Sequence, residues 1–165
     1  MIKTYYELTK PGLVYGNLLT MLGGFFLAAQ GLINWTLFAA TMAGLASIIA
    51  SACVYNNYFD RDIDVVMKRT QHRALVTGQV RPRQALVFAS MLLLVGNILL
   101  LLYTNVLTLG IALGGFVAYV FIYTPAKRHT KYSTHLGAIA GATPPIVGYT
   151  AVTHAFDEKA LLLFV

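Results

Sequence analysis

Residues Gln84–Ala126 read QALVFASMLLLVGNILLLLYTNVLTLGIALGGFVAYVFIYTPA. The stretch contains no Asp, Glu, Lys or Arg, and Arg83 and Lys127 close it on either side. A bilayer-crossing helix needs roughly 20 mainly apolar residues. The stretch therefore holds two crossings with a turn near Thr104–Asn105. Pro11–Phe59, also free of charge, holds two more, and Tyr132–Phe156 holds one. Only 11% of the chain is charged and 58% is hydrophobic, whereas an ordinary soluble domain carries about 25% charged residues. A soluble helical chain needs charged surface on every helix. The reading is an all-α, polytopic transmembrane helix bundle.

Five spans are predicted: Gly12–Gln30, Trp35–Asn57, Gln84–Tyr103, Leu107–Tyr123 and Leu136–His154. A sixth begins near Ala160. The apolar stretch after Lys10 is too long for a secretory signal, lacks a small-residue cleavage pattern and runs into a second span. Because the chain closes on ALLLFV, inside an apolar run, residues 1–165 are expected to be one membrane domain truncated at its C-terminus.

The loops differ in charge. The turns at Gln30–Asn34 and Thr104–Asn105 carry none. Lys3 and Lys10 lie at the N-terminus. Arg61, Lys68, Arg69, Arg73, Arg81 and Arg83 surround the second connection, and Lys127, Arg128 and Lys131 the fourth. Alternating spans put eleven of the twelve basic residues on one side and leave Lys159 opposite. Short loops rich in Lys and Arg stay cytoplasmic. The N-terminus and basic loops are thus expected in the cytoplasm, with the protein in the cell's inner (plasma) membrane. This placement accounts for the net charge of +6 without nucleic acid. The lone Cys53 excludes an internal disulfide and a cysteine-based zinc site, and reads as packing.

At the end of the second span, NNYFDRDID (Asn56–Asp64) gathers three of the six acids. Asn56, Asp60 and Asp64 are four apart, so on a helix each lies about 40° round from the last. Asp62 points to nearly the opposite side. Two carboxylates and an amide on successive turns offer hard oxygen ligands. Magnesium takes such ligands, keeps several waters and bridges carboxylates to substrate phosphates. The plainer alternative is that Asp60 and Asp64 cap the helix or pair with Arg61 and Lys68. Asn57 beside the motif is a candidate cavity residue. Lys68, Arg69, Arg73, Lys127 and Arg128 are candidate diphosphate ligands, although the positive-inside rule alone also accounts for them.

A magnesium-bound diphosphate beside an apolar bundle suits a substrate with a charged head and a lipid tail, as in a prenyl diphosphate. Tyr119 and Tyr123, one turn apart, are candidate aromatic walls for an allylic cation. Their alternative reading is an interfacial aromatic belt. Gly110 with Gly114, and Gly137 with Gly141, have the spacing that lets membrane helices approach closely. Pro144-Pro145 falls mid-span and predicts a kink. His72, His129, His135 and His154 show no ligand spacing within one helix.

The pattern Asn56-x-x-x-Asp60-x-x-x-Asp64 resembles the first aspartate-rich motif of the UbiA superfamily of intramembrane prenyltransferases. The longer string NNYFDRDIDVVMKRTQHRALVTG, with Met67, Arg69-Thr70, Arg73 and Gly78, is similar to the heme O synthase (protoheme IX farnesyltransferase) branch. YTPAKRHTKYSTHLGAIAGATPPIVGY and the opening LTKPGLV (Leu8–Val14) fit that branch too. One position departs: Ala74 stands where the branch often has Pro.

The resemblance covers nearly the whole chain. It implies about nine spans and a second conserved loop after the sixth. It also implies a Mg2+-dependent transfer of farnesyl from farnesyl diphosphate to the vinyl group of protoheme IX, giving heme O. The implied partners are these two substrates, the lipid bilayer, and heme A synthase or a terminal oxidase as an associated protein. A UbiA-type enzyme acting on a quinone precursor or chlorophyllide is the alternative within the superfamily. A transporter subunit is the alternative outside it, but that would place acids at mid-membrane rather than at the cytoplasmic end.

Overall fold

The computed structural model describes residues 1–130 and 132–164. Its elements are α1 (Ile2–Leu8), α2 (Pro11–Ala29), α3 (Trp35–Asp64), α4 (Pro82–Tyr103) and α5 (Val106–Val117). A π-helical turn (Ala118–Tyr123), α6 (Thr124–His129), α7 (Ser133–Thr153) and α8 (Glu158–Leu162) follow. No strand occurs among the described residues.

Local chemistry sets several boundaries. Asn34 caps α3 by accepting from the Leu37 N–H (3.1 Å), and Asn105 caps α5 by accepting from the Thr108 N–H (2.9 Å). Pro11 and Pro82 open α2 and α4, where a missing N–H costs nothing. Between α3 and α4 the chain turns at Gly78, whose φ of +75° only glycine takes without strain.

The helices are longer than the predicted spans where polar residues continue the winding. The second span, expected to stop at Asn57, runs unbroken to Asp64, so the whole acidic motif is helical. Lys127 and Arg128, expected in a loop, lie on α6, which continues α5 and the π turn to His129. Lys131 lies outside the described residues. Four helical stretches are long and apolar enough to cross a bilayer: Pro11–Ala29, Trp35–Asp64, Pro82–Tyr103 and Val106–His129. α7 matches them in length, with 21 residues, but falls short of that apolarity. Both its prolines are accommodated inside the helix.

α3 packs along α4, and α2 and α5 both pack on α7. Met21, Phe25, Ile48, Leu100, Val120 and Val147 form the buried centre. Many large apolar side chains, including Leu19, Met91, Leu94 and Leu102, point outward. Such a surface is costly in water and suits a membrane-embedded bundle.

Glycines bring the helices together, but not all at the expected positions. A Cβ at Gly24 would run into the Pro145 carbonyl, and one at Gly148 into the Met21 carbonyl, so α2 and α7 meet backbone to backbone. Between α3 and α4, a Cβ at Gly96 would meet the Ile48 side chain and the Gly44 carbonyl, and one at Gly44 would meet the Leu100 side chain. The expected packing role of Gly110, Gly114 and Gly141 is not realised among the described residues, where nothing lies within 4 Å of a Cβ at these positions. Gly137 faces the Tyr123 ring.

At one end of the bundle a second cluster joins Leu8 of α1, Val54 of α3, Leu75 and Val80 of the loop, and Ala85 and Ala89 of α4. The basic loop is thereby pinned against the helix ends rather than splayed into solvent. That packing fixes where its arginines point.

Candidate functional site

Asn56, Asp60 and Asp64 lie on one buried face of α3, each no more than 3% exposed. Asp62 points away, its side chain 61% exposed, as the four-residue spacing requires. Buried carboxylates are costly unless paired or hydrogen-bonded, and this structure pairs them. Lys127 of α6 donates to Asp60 Oδ2. Arg73 Nη1 donates to Asp64 Oδ2 at 2.6 Å. Lys10, in the left-handed conformation (φ 51°) just before α2, donates to Asn56 Oδ1. Burial pushes the Lys10 ammonium down, to about 8. Asn56 Nδ2 donates to Thr124 Oγ1 (3.0 Å), and that hydroxyl donates to the Tyr119 carbonyl (2.8 Å).

Three elements distant in sequence thus converge on one helix face: the N-terminus, the α3–α4 loop and α6. The pairing of Asp60 and Asp64 with Arg61 and Lys68 does not occur. Arg61 instead donates to the Tyr58 carbonyl (3.0 Å) and lies over the Tyr58 ring. Lys68 is exposed. Arg128 grips Asp62 through two contacts of 2.8 Å and donates to the Phe59 carbonyl. Its Nη2 stands 3.8 Å from Asp60 Oδ1. Arg69 lines a polar cavity of about 290 Å³ together with Lys10, Asn57, His72 and Arg73. Asn57 anchors α1 by donating to the Leu8 carbonyl (2.9 Å). It faces that cavity and does not line the apolar one described next.

Two buried oxygens here have no hydrogen-bond donor, Asp60 Oδ1 and Asn57 Oδ1. A buried acceptor left open is costly unless a further donor or cation reaches it. The two carboxylates and the amide of this face would supply only part of a metal's shell, which fits a cation that keeps waters and binds phosphate, such as magnesium.

An apolar cavity of about 160 Å³ opens among Leu13, Ile49, Cys53, Phe116, Tyr119 and Gly141. Cys53 lies one turn before Asn56 and Asn57 on α3, so the cavity adjoins the acidic face. Tyr119 belongs to the π turn and stacks on Tyr123 (ring centroids 5.3 Å). π turns are rare and often mark functional sites, because the extra residue reorients neighbouring side chains. Here the turn places Tyr119 on the cavity, and Lys127 approaches the Tyr123 ring (6.0 Å). No spacing or charge pattern in the sequence singles out Lys10, Thr124 or Asn17, the last a polar residue lining the cavity. The LTKPGLV match included Lys10, but only the fold shows that it reaches Asn56.

Residues 17–165 match the UbiA prenyltransferase family. A relative from Edwardsiella ictaluri named protoheme IX farnesyltransferase is 49% identical over 99% of this chain and 55% of its own length. One of the same name from Photorhabdus laumondii is 47% identical over 99% of this chain and 56% of its own. The chain thus spans about half the length of the curated relatives it matches. A solved digeranylgeranylglyceryl phosphate synthase superposes with a TM-score of 0.84 at 20% identity, covering 99% of this chain and 57% of that one. A UbiA homolog from Archaeoglobus fulgidus bound to GPP and Mg2+ gives 0.79 at 18% identity, over 98% and 58%. At such identities these structures show a shared fold. The bundle and the sequence match agree, and the chain belongs to the UbiA prenyltransferase family.

Proposed function

We propose that this chain forms part of a membrane enzyme that transfers a farnesyl group from farnesyl diphosphate to the vinyl group of protoheme IX, giving heme O. The observation that carries the chemistry is the buried Asn56–Asp60–Asp64 face, ringed by Lys10, Arg73 and Lys127 and adjoining an apolar cavity. The relatives named protoheme IX farnesyltransferase support the choice of donor and acceptor.

Asn56, Asp60 and Asp64 would hold magnesium, which when bound would supply positive charge to offset that of a leaving diphosphate. Arg73 and Lys127 stand beside the same carboxylates, where their charges favour a departing anion. The bond between farnesyl C1 and the diphosphate oxygen breaks, and the oxygen keeps the electron pair. Tyr119 offers its ring face to the resulting allylic cation and helps exclude water. The vinyl π electrons form the new carbon–carbon bond. Water adds to the cation left on the acceptor and releases a proton.

A full-length version supplied with protoheme and farnesyl diphosphate should yield heme O, detected by mass spectrometry of extracted heme. Prenylation of 4-hydroxybenzoate with no heme product would instead assign the protein to quinone-precursor chemistry.

The site should face the cytoplasm from the inner membrane, since the basic residues gather at its end of the bundle. Single cysteines placed at exposed Gln79 and exposed Leu32 test this in intact cells with an impermeant thiol reagent. Native Cys53 is fully buried and stays silent. Leu32→Cys should react and Gln79→Cys should not. The reverse pattern would invert the topology.

A further inference from the structure

Outside the acidic face, Arg81 and Arg83 mark a second cationic place. They flank Pro82 at the start of α4, both are exposed, and neither has a carboxylate partner among the described residues. Below them two adjoining depressions of about 430 and 340 Å³ share Arg83, Val87 and Met91, and the second continues to Leu94. No acidic residue lines either.

The spacing gives this groove its shape. Arg83, Val87, Met91 and Leu94 follow at intervals of four, four and three, so they form one stripe along the helix. Val87, Met91 and Leu94 are 49%, 60% and 60% exposed, so no other element of this chain covers the stripe among the described residues. Eleven residues of helix span about 16 Å, close to one leaflet of a hydrocarbon core about 30 Å thick. α1 builds one wall: Tyr5 lines the upper depression and packs edge-on against Phe88 (centroids 5.1 Å). The Leu8 cluster holds α1 there. A dibasic head above an apolar stripe one leaflet long has the charge and the length of an anionic lipid.

We propose that this groove binds one anionic phospholipid, with its phosphate between Arg81 and Arg83 and an acyl chain along Val87, Met91 and Leu94. Bound there, the lipid bridges α1 to α4 and steadies the α3–α4 loop that carries Arg73. The site is separate from the prenyl-diphosphate site and does not depend on the reading of that site.

Native mass spectrometry of the full-length protein tests it, with dioleoyl phosphatidylglycerol, dioleoyl phosphatidylcholine and glycerol phosphate as probes. One phosphatidylglycerol should be retained in preference to phosphatidylcholine, and Arg81→Gln/Arg83→Gln should weaken its retention about tenfold. Lys3→Gln/Arg61→Gln removes the same charge outside the groove and should leave retention unchanged. Val87→Trp/Met91→Trp fills the stripe while sparing the arginines, and should also lower retention. Glycerol phosphate should not compete. Equal retention of the two lipids, loss in the Lys3/Arg61 variant, indifference to the Trp pair, or competition by glycerol phosphate would each overturn the proposal.

Discussion

In the full-length protein, Asp60→Asn and Asp64→Asn should each lower prenyl transfer by about a hundredfold or more, the scale of losing a preorganised charge at a reacting centre. Asp62→Asn should keep substantial activity. All three substitutions remove one charge and preserve shape, but the side chains differ in orientation and burial. Asp60 and Asp64 are buried between cations, whereas Asp62 faces outward onto Arg128. The two buried variants should also need more magnesium for half-maximal rate, a shift that Asp62→Asn should not show. Loss of a buried partner can destabilise, so a thermal melt of each variant belongs with the assay. Lys127 and Arg73 are about a quarter exposed and can regain solvent, so the melts should remain cooperative. Equal losses for the three aspartates would show that total charge at this end matters and that a one-face metal site is wrong.

The second large effect concerns packing. Gly24→Ala or Gly148→Ala should cost about 3 kcal/mol, the upper end for overpacking, and sharply reduce folded yield. The added methyl would meet backbone of the facing helix, Pro145 or Met21, which cannot rotate away as a side chain can. Gly23→Ala, one residue along, meets nothing within 4 Å. In a helix interior that exchange should gain about 0.5–1 kcal/mol. Opposite signs at neighbouring positions in a detergent melt would confirm that α2 and α7 meet through their backbones. A neutral Gly24→Ala would rule out that contact.

Charges are missing from long stretches of this sequence, and helices form there because an unbroken apolar run has few other stable forms in lipid. The helix period likewise put Asn56, Asp60 and Asp64 on one face and Asp62 on the other. The span ends were less legible. Polar residues such as Asn57 to Asp64 continue the helix because partners from other elements satisfy them. A window of apolarity along the chain does not register those partners. The glycine pairs show the same limit: the small-xxx-small spacing of Gly110 and Gly114 is as regular as any in the chain, yet the close approach falls at Gly24 and Gly148.

Charge placement and helix period in the sequence suffice to make this chain a helical membrane protein with two carboxylates and an amide on one helix face at its basic end. Periodicity and charge act over a few residues and leave a direct trace in the chain. Which cations answer those acids follows from how the helices pack. Lys127 reaches Asp60 across 67 residues and Lys10 reaches Asn56 across 46. Nearer neighbours, Arg61 and Lys68, point elsewhere. An ion pair is set by where side-chain ends meet in space, and that depends on how α1, the pinned loop and α6 close over the end of α3.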